Sequence, residues 1–315
     1  MAYFHHNMGM KNTFFDLQGH RGARGLWPEN TLPAYQAALR IGVCTLELDV
    51  GISSDGVVVV SHDRALNPEI TRDAQGQWIA APILVNSLSC KTLQSFDVGR
   101  INPASAYAQR FAQQTPLDGT RMPTLAQVFE TFQSTVLHFN IETKISPDHP
   151  YETVSPETFV NALLAVVHAH GMADRVIVQS FDWRTLALVQ QLAPGVRTAC
   201  LTAQQPWTDN ITPQPGRPRW TGLFNAENYP DVPSMVRATG ASIWSPYFGD
   251  LSVALVTQAQ SLGLQVIPWT VNTAAELTQV IGMGVNGLIS DYPDLAVATL
   301  NEKGIALVRV PPDRA

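Results

Sequence analysis

Two pairs of charged residues stand two positions apart inside apolar segments of this 315-residue chain. Glu47 and Asp49 lie in TLELDV, and Glu142 and Lys144 lie in FNIETK. Side chains at i and i+2 of a strand share a face, so both acids of the first pair point away from Leu46, Leu48 and Val50. Two carboxylates that close repel unless a cation sits between them, and oxygen donors suit a hard divalent metal such as Ca2+ or Mg2+. Glu142 would complete a three-carboxylate site, while Lys144 would neutralise a phosphoryl oxygen or a developing oxyanion. Each doublet alone also fits a solvated strand face or a plain ion pair. Two on successive apolar strands favour one shared site.

Two histidines close apolar runs in the same manner. His20 stands in GHRGARGLWPEN, and His62 ends DGVVVVSHD. Asp55-Gly56 is a tight-turn signal that would fold the second run back beside the Glu47/Asp49 strand. Imidazole exchanges protons near neutrality, so such a pair suits general acid and base work. Either histidine alone reads equally as a structural hydrogen-bonding group. Weaker marks follow at Gln179–Asp182, Trp269–Asn272 and 290–294, where polar or aromatic residues end other apolar runs. Trp269 either walls a pocket or is a core indole. Asn272 and Asp291 read as helix caps or as substrate contacts.

The elements that must position these groups alternate along the chain. Strands are expected near 15–20, 45–50, 137–144, 176–180, 197–201, 242–245, 265–270 and 287–290. Several are nearly continuous in hydrophobicity, as in VIVQS and NGLIS, which marks strands buried on both faces. Between most of them lie segments of helical period with readable starts: Asn30-Thr31, Thr124, Ser155, Asp182, and Asn272 or Thr273. Eight strands with helical crossovers predict a closed (β/α)8 TIM barrel, whose strand ends converge on one pocket. A doubly wound sheet is the alternative, but no G-x-G-x-x-G follows a strand. Residues 63–122 read as an insertion between the second and third strands, and 203–233 as another long irregular connection. The expected organisation is one catalytic domain over 14–300, a leader over 1–13 and a tail over 301–315.

Composition narrows the function classes. Hydrophobic residues make up 45% and charged residues 15%, enough apolar material for a large core. A net charge of -6 argues against a nucleic-acid partner. It leaves room for an anionic substrate, because a few local cations or a metal reverse the local potential. Cys44, Cys90 and Cys200 are far apart and odd in number, so free buried thiols are expected. No apolar run reaches the ~18 residues of a transmembrane segment. The opening MAYFHHNMGMKNTFF lacks the pattern of a signal peptide, and His5-His6 reads as leader. A cytoplasmic location is the default expectation, with a periplasmic or secreted one if a signal peptide has been removed.

Taken in order, GHRGARGLWPENT, LELDV, DGVVVVSHD, NIETK, QSFDW, WTVN and SDYPD resemble the glycerophosphodiester phosphodiesterase family from Gly19 to Pro293. The resemblance implies a TIM barrel that hydrolyses glycerophosphodiesters, such as glycerophosphocholine or glycerophosphoethanolamine, to glycerol 3-phosphate and an alcohol. It implies that His20 and His62 are the acid/base pair, that Glu47, Asp49 and Glu142 bind one Ca2+ or Mg2+, and that Arg21 and Lys144 hold the phosphate. It places Glu29 near the metal and the 63–122 insertion over the barrel mouth. Ser53-Ser54-Asp55-Gly56 and Ser290-Asp291 depart from the commoner family wording, and 203–233 fits the pattern poorly. The alternatives are a lysophospholipase-D-like or sphingomyelinase-D-like enzyme on the same barrel, a binding protein without turnover, and, more remotely, a metal-dependent lyase or isomerase.

Overall fold

The computed structural model of the chain describes residues 15–217 and 219–307. The expected leader over 1–13 and the end of the expected tail, 308–315, lie outside the described residues.

Eight parallel strands build the sheet: β1 (Asp16–Gly19), β2 (Thr45–Ile52), β3 (His138–Thr143), β4 (Val176–Ser180), β5 (Arg197–Thr202), β6 (Ile243–Pro246), β7 (Gln265–Val266) and β8 (Gly287–Ser290). They pair in the order β7-β6-β5-β4-β3-β2-β1-β8. The seam between β7 and β8 is bridged by hydrogen bonds from Asn286 N to Val266 O and from Ile289 N to Pro268 O. The result is a TIM barrel, as the sequence predicts. Helices α1 (Leu32–Ile41), α2 (Leu125–Phe132), α3 (Pro156–Ala169), α4 (Trp183–Leu192), α5 (Val232–Ala238), α6 (Val253–Ser261), α7 (Ala274–Gly282) and α8 (Pro293–Glu302) follow the strands in turn. Among the described helices none is long and apolar enough to cross a membrane.

Local chemistry fixes the helix starts. Thr31 caps α1, Asp182 caps α4, and Thr124 and Thr273 each form a reciprocal capping box with Gln127 and Glu276. Asn30 and Asn272, the other cap candidates, are used elsewhere. β7 is shorter than its apolar run because Pro268 lacks an N–H for the ladder, and Trp269 pairs beyond it only as an isolated bridge to Tyr247. β1 ends at Gly19, which leaves His20 in the following turn.

The alternation of β2 sorts its side chains. Leu46, Leu48 and Val50 join the main core between strands and helices, while Glu47 and Asp49 face the barrel interior. Ile177, Ala199, Ile243, Ile267 and Ile289 fill that interior as a separate cluster. The insertion between β2 and β3 begins with an antiparallel hairpin strand, Val58–Val60, on β2. It carries its own small core of Val59, Leu66, Val85, Leu93 and Met122. Cys200 is the buried thiol expected, whereas Cys44 and Cys90 are partly exposed, the latter because it opens a short helix of the insertion.

Candidate functional site

The parallel register of β2 and β3 sets Asp49 opposite Glu142 and Glu47 opposite Asn140. Glu47, Asp49 and Glu142 are all buried, and they offer ligand oxygens within 4.8 Å of one another. The cluster is electrostatically strained. Burial, with the charges of Asp49 and Glu142, pushes the Glu47 carboxyl well above its ordinary value. Burial likewise pushes Glu142 up to about 7, against the pull of Lys144. At Asp49 burial also opposes ionisation, but His62, Lys144 and Arg21 prevail and hold its carboxyl well below the usual range. Lys144 offsets part of the charge, with Nζ 2.7 Å from Glu142 Oε1 and 3.7 Å from Asp49 Oδ1. Asp49 Oδ1 is buried and has no hydrogen-bond partner in the protein. A buried acceptor without a donor, beside two carboxyls whose proton affinity is raised by Asp49, fits a divalent cation.

The stretch after β1 wraps this cluster. A Cβ on Gly19 would stand 2.1 Å from Gly22 O, and one on Gly22 would meet Ala34 at 2.8 Å, so both positions need glycine. The tight turn puts Arg21 at a φ of 51° with its backbone N–H donating to Glu47 Oε2 at 2.9 Å. Its guanidinium turns inward to Glu29 Oε1 at 2.6 Å, with Nε 3.3 Å from Asp49 Oδ2. Tyr107, from the insertion, donates to the other Glu29 oxygen. Glu29 thus reaches the carboxylates through Arg21. Asn30 adopts a φ of 55°, donates from Nδ2 to Asp49 Oδ2 at 2.9 Å, and accepts from the buried Tyr35 hydroxyl. Gln179 on β4 donates to Glu47 Oε1 at 2.8 Å.

Each histidine is oriented by a carboxylate. His20 Nδ1 lies 2.6 Å from Asp291 Oδ1, just past β8, and its Nε2 lies 3.9 Å from Glu47 Oε2. With an anion on Nδ1, that nitrogen carries the proton and Nε2 presents its lone pair to the site. Asp291 is fully buried and is gripped by Arg24, whose Nε and Nη2 donate at 2.7 and 2.9 Å, and by Asn272 Nδ2 at 2.7 Å. Burial, with the Arg24 cation, lowers His20 to about 4 against the opposing pull of Asp291. His62 follows the hairpin strand, and Ser61 N donates to Asp49 O, which ties that turn to β2. His62 Nδ1 lies 2.7 Å from Asp63 Oδ1. Desolvation, with Arg21 and Lys144 nearby, lowers its proton affinity as well.

Trp269 stands at the mouth, its indole N–H donating to Ser245 O at 3.0 Å. It forms part of an aromatic wall with Phe181, Tyr247 and Trp207. His20, Arg21, Glu29, Glu47, Asp49, His62, Glu142, Lys144 and Trp269 are thus gathered around one end of the barrel. Arg24 is marked by no motif in the sequence pattern, Asn30 reads there as a cap, and Asp291 and Asn272 read as caps or substrate contacts, whereas here they orient His20 and Asp49. The i+4 spacing of His20 and Arg24 in a glycine-rich turn was the one available signal for Arg24. Nothing in the sequence marks the pairing of Asp291 with His20 across 271 residues. The arrangement has the chemistry to seat an anion beside a cation, with two imidazoles at hand.

Comparisons with known proteins bear on the family and the fold. Residues 20–295 match the model of the glycerophosphoryl diester phosphodiesterase family. A glycerophosphodiester phosphodiesterase of Caldanaerobacter subterraneus subsp. tengcongensis is 25% identical over 288 residues, covering 90% of this chain and 97% of its own length. A Silicibacter pomeroyi DSS-3 crystal structure, provisionally assigned to the glycerophosphoryl diester phosphodiesterases, superposes with a TM-score of 0.84 at 32% identity, covering 94% of this chain and 96% of that one. An Oleispira antarctica phosphodiesterase in complex with the product sn-glycerol-3-phosphate shares the fold, with a TM-score of 0.68 at 20% identity over 91% of this chain and 97% of that one.

Proposed function

This chain belongs to the glycerophosphoryl diester phosphodiesterase family, and on that premise we propose that it hydrolyses glycerophosphodiesters to glycerol 3-phosphate and an alcohol at the Glu47, Asp49 and Glu142 cluster. The observation that carries the reading is the convergence of three buried carboxylates with two carboxylate-oriented histidines at one end of the barrel. Glu47, Asp49 and Glu142 would hold one Ca2+ or Mg2+, which when bound supplies Lewis-acid polarisation of the phosphoryl group.

The chain's own residues do the rest. Lys144 Nζ, at the rim of the carboxylates, binds a phosphoryl oxygen. Arg21 adds positive potential from below while its ion pairs to Glu29 and Asp49 keep two site elements in register. One imidazole takes the proton of the nucleophile, either water or the free glycerol 2-hydroxyl, which would give a cyclic intermediate. The other gives a proton to the departing alcohol oxygen. The lowered proton affinity of His20 keeps Nε2 available at neutral pH, and Asp291 steadies the imidazolium once formed. The aromatic wall at Trp269 gives the phosphate an apolar neighbour on one side.

Glycerol 3-phosphate release from glycerophosphocholine and glycerophosphoethanolamine tests the proposal, run with Mg2+, with Ca2+ and with chelator. Release that stops in chelator and returns with metal is expected. Undiminished release in excess chelator overturns the metal assignment, and no release under any condition overturns the activity. Turnover of lysophospholipids in preference to the soluble diesters would favour the lysophospholipase-D-like reading.

A further inference from the structure

The barrel interior holds a run of amides beneath the carboxylate cluster. Gln18 on β1 alternates with the core residue Leu17, Asn140 on β3 shares a face with Glu142, and Gln179 on β4 shares one with Ile177 of the interior cluster. All three amides are buried. They form one hydrogen-bonded chain that starts at Asp16 and ends at Glu47. Gln18 Nε2 donates to Asp16 Oδ2, Asn140 Nδ2 donates to Oε1 of both Gln18 and Gln179, and Gln179 Nε2 donates to Glu47 Oε1, each at 2.8 Å. Thr45 steadies the starting carboxylate, its hydroxyl donating to Asp16 Oδ1 at 2.7 Å.

The direction of this chain is set at its start. A carboxylate only accepts, so Gln18 turns its NH2 group to Asp16 and its oxygen to Asn140. Asn140 commits both of its N–H groups, one to each glutamine oxygen, and Gln179 then has only its NH2 group to offer Glu47. Asn140 Oδ1 is left buried with no hydrogen-bond partner in the protein. A buried acceptor without a donor costs stability. Packing alone would favour an apolar residue at this position, since Ile177, Ala199, Ile243, Ile267 and Ile289 already fill the interior. The asparagine is therefore explained by what its two N–H groups do.

At the far end the chain meets a carboxylate that needs holding. Glu47 Oε1 accepts from Gln179, and Oε2 accepts from the backbone N–H of Arg21 at 2.9 Å. One donor on each oxygen fixes the plane of the carboxylate and leaves further lone pairs on both oxygens for the cluster. Outer donors of this kind orient the ligands of a cation. A Gln179 turned over would instead present its oxygen to the Glu47 oxygen, and the two would repel. The bonds from Asn140 oppose that turn.

Resting on the reading of Glu47, Asp49 and Glu142 as a cation site, we propose that Asn140 is a positioning residue: it sets the orientation of Gln179, which holds Glu47 as a fixed acceptor for a divalent cation. The test titrates Mg2+ and Ca2+ by calorimetry into the wild type, Asn140→Leu, Gln179→Met and the double variant, with the Tm of each metal-free protein measured alongside. Each single variant should bind about 10–100-fold more weakly. The double variant should bind no more weakly than Gln179→Met, because Asn140 acts through Gln179. Wild-type affinity in either folded single variant overturns the inference, even where its Tm has dropped, as do losses that multiply in the double variant. The wild type gives a reading that needs no variant to fold: the side-chain NH2 signals of Gln179 and Asn140 should shift together in NMR spectra as Mg2+ is added, and either signal staying still overturns the inference. In all these cases metal binding by the wild type leaves the cation site standing. If the wild type binds neither metal, that reading fails and this inference falls with it.

Discussion

Asp291→Asn should disable the enzyme without touching substrate. The carboxylate serves three partners: Oδ1 faces His20 Nδ1 at 2.6 Å and Arg24 Nε at 2.7 Å, while Oδ2 faces Arg24 Nη2 at 2.9 Å and Asn272 Nδ2 at 2.7 Å. An amide has one acceptor oxygen. Turned toward His20, it confronts Arg24 Nη2 and Asn272 Nδ2 with an NH2 group; turned the other way, it confronts His20 and Arg24 Nε. Either orientation leaves donor facing donor and strips the buried Arg24 of its counter-charge. Breaking a buried pair in this way costs about 3–5 kcal/mol of stability. The proton on His20 Nδ1 also loses its anchor, so the tautomer with Nε2 free is no longer enforced. If His20 is an acid/base catalyst, folded variant should lose about 10²–10⁴-fold in kcat, or roughly 2.7–5.4 kcal/mol of transition-state stabilisation. The assay is glycerol 3-phosphate release at a temperature where circular dichroism shows the variant folded, run beside His20→Ala and the double variant. The double variant should be no slower than His20→Ala, because Asp291 acts through His20. Folded Asp291→Asn with more than a tenth of wild-type kcat, or a double variant showing the product of both losses, would refute the reasoning.

Other perturbations probe separate parts of the account. Glu142→Gln keeps an acceptor for Lys144 Nζ and replaces a carboxyl whose ionisation burial already opposes, so the metal-free protein should keep its Tm. Its Mg2+ or Ca2+ affinity by calorimetry should fall by more than the roughly 10–100-fold that losing an outer partner costs. Asn30→Ala leaves the buried Tyr35 hydroxyl and Asp49 short of partners, which should cost about 1–3 kcal/mol in denaturant unfolding; Asn30→Gly, which relieves the positive φ, should cost less. Burial pushes the Cys200 thiol up to about 12, above the value it has when unfolded. The unfolded chain therefore releases this proton first as pH rises past about 8.5, and Cys200 contributes stability below that pH which is lost toward pH 12. Native protein at pH 8 should label at Cys90 and not at Cys200 when cleaved and weighed by mass spectrometry; rapid Cys200 labelling would contradict its burial.

What the sequence made legible followed from period and spacing. The two-residue alternation in TLELDV separates core leucines from inward acids, and the parallel register then carries Asp49 to Glu142. His62 was readable because Asp55-Gly56 turns its strand back onto β2. The supporting groups were harder to see because their roles depend on distant partners. Asn30 looks like half of a cap pair until its left-handed backbone turns its amide onto Asp49. Asp291 reads as a cap or a substrate contact until barrel closure sets β8 beside β1 and His20 beside it. The connection after β5 carries no period at all, since its shape comes from side-chain pins such as Asn210 and Asp250.

The most direct test of the proposed His20 and His62 pair uses two glycerophosphodiesters that differ in leaving group, one an alkyl alcohol and one p-nitrophenol. Nitrophenolate departs without a proton, so it needs a base but no acid. The account predicts that His20→Ala and His62→Ala each lose about 10²–10⁴-fold on the alkyl diester, and that one of the two, the variant lacking the acid, recovers most of its rate on the nitrophenyl diester. Near-normal turnover of the alkyl diester by either variant, or the same loss on both substrates for both variants, would contradict it.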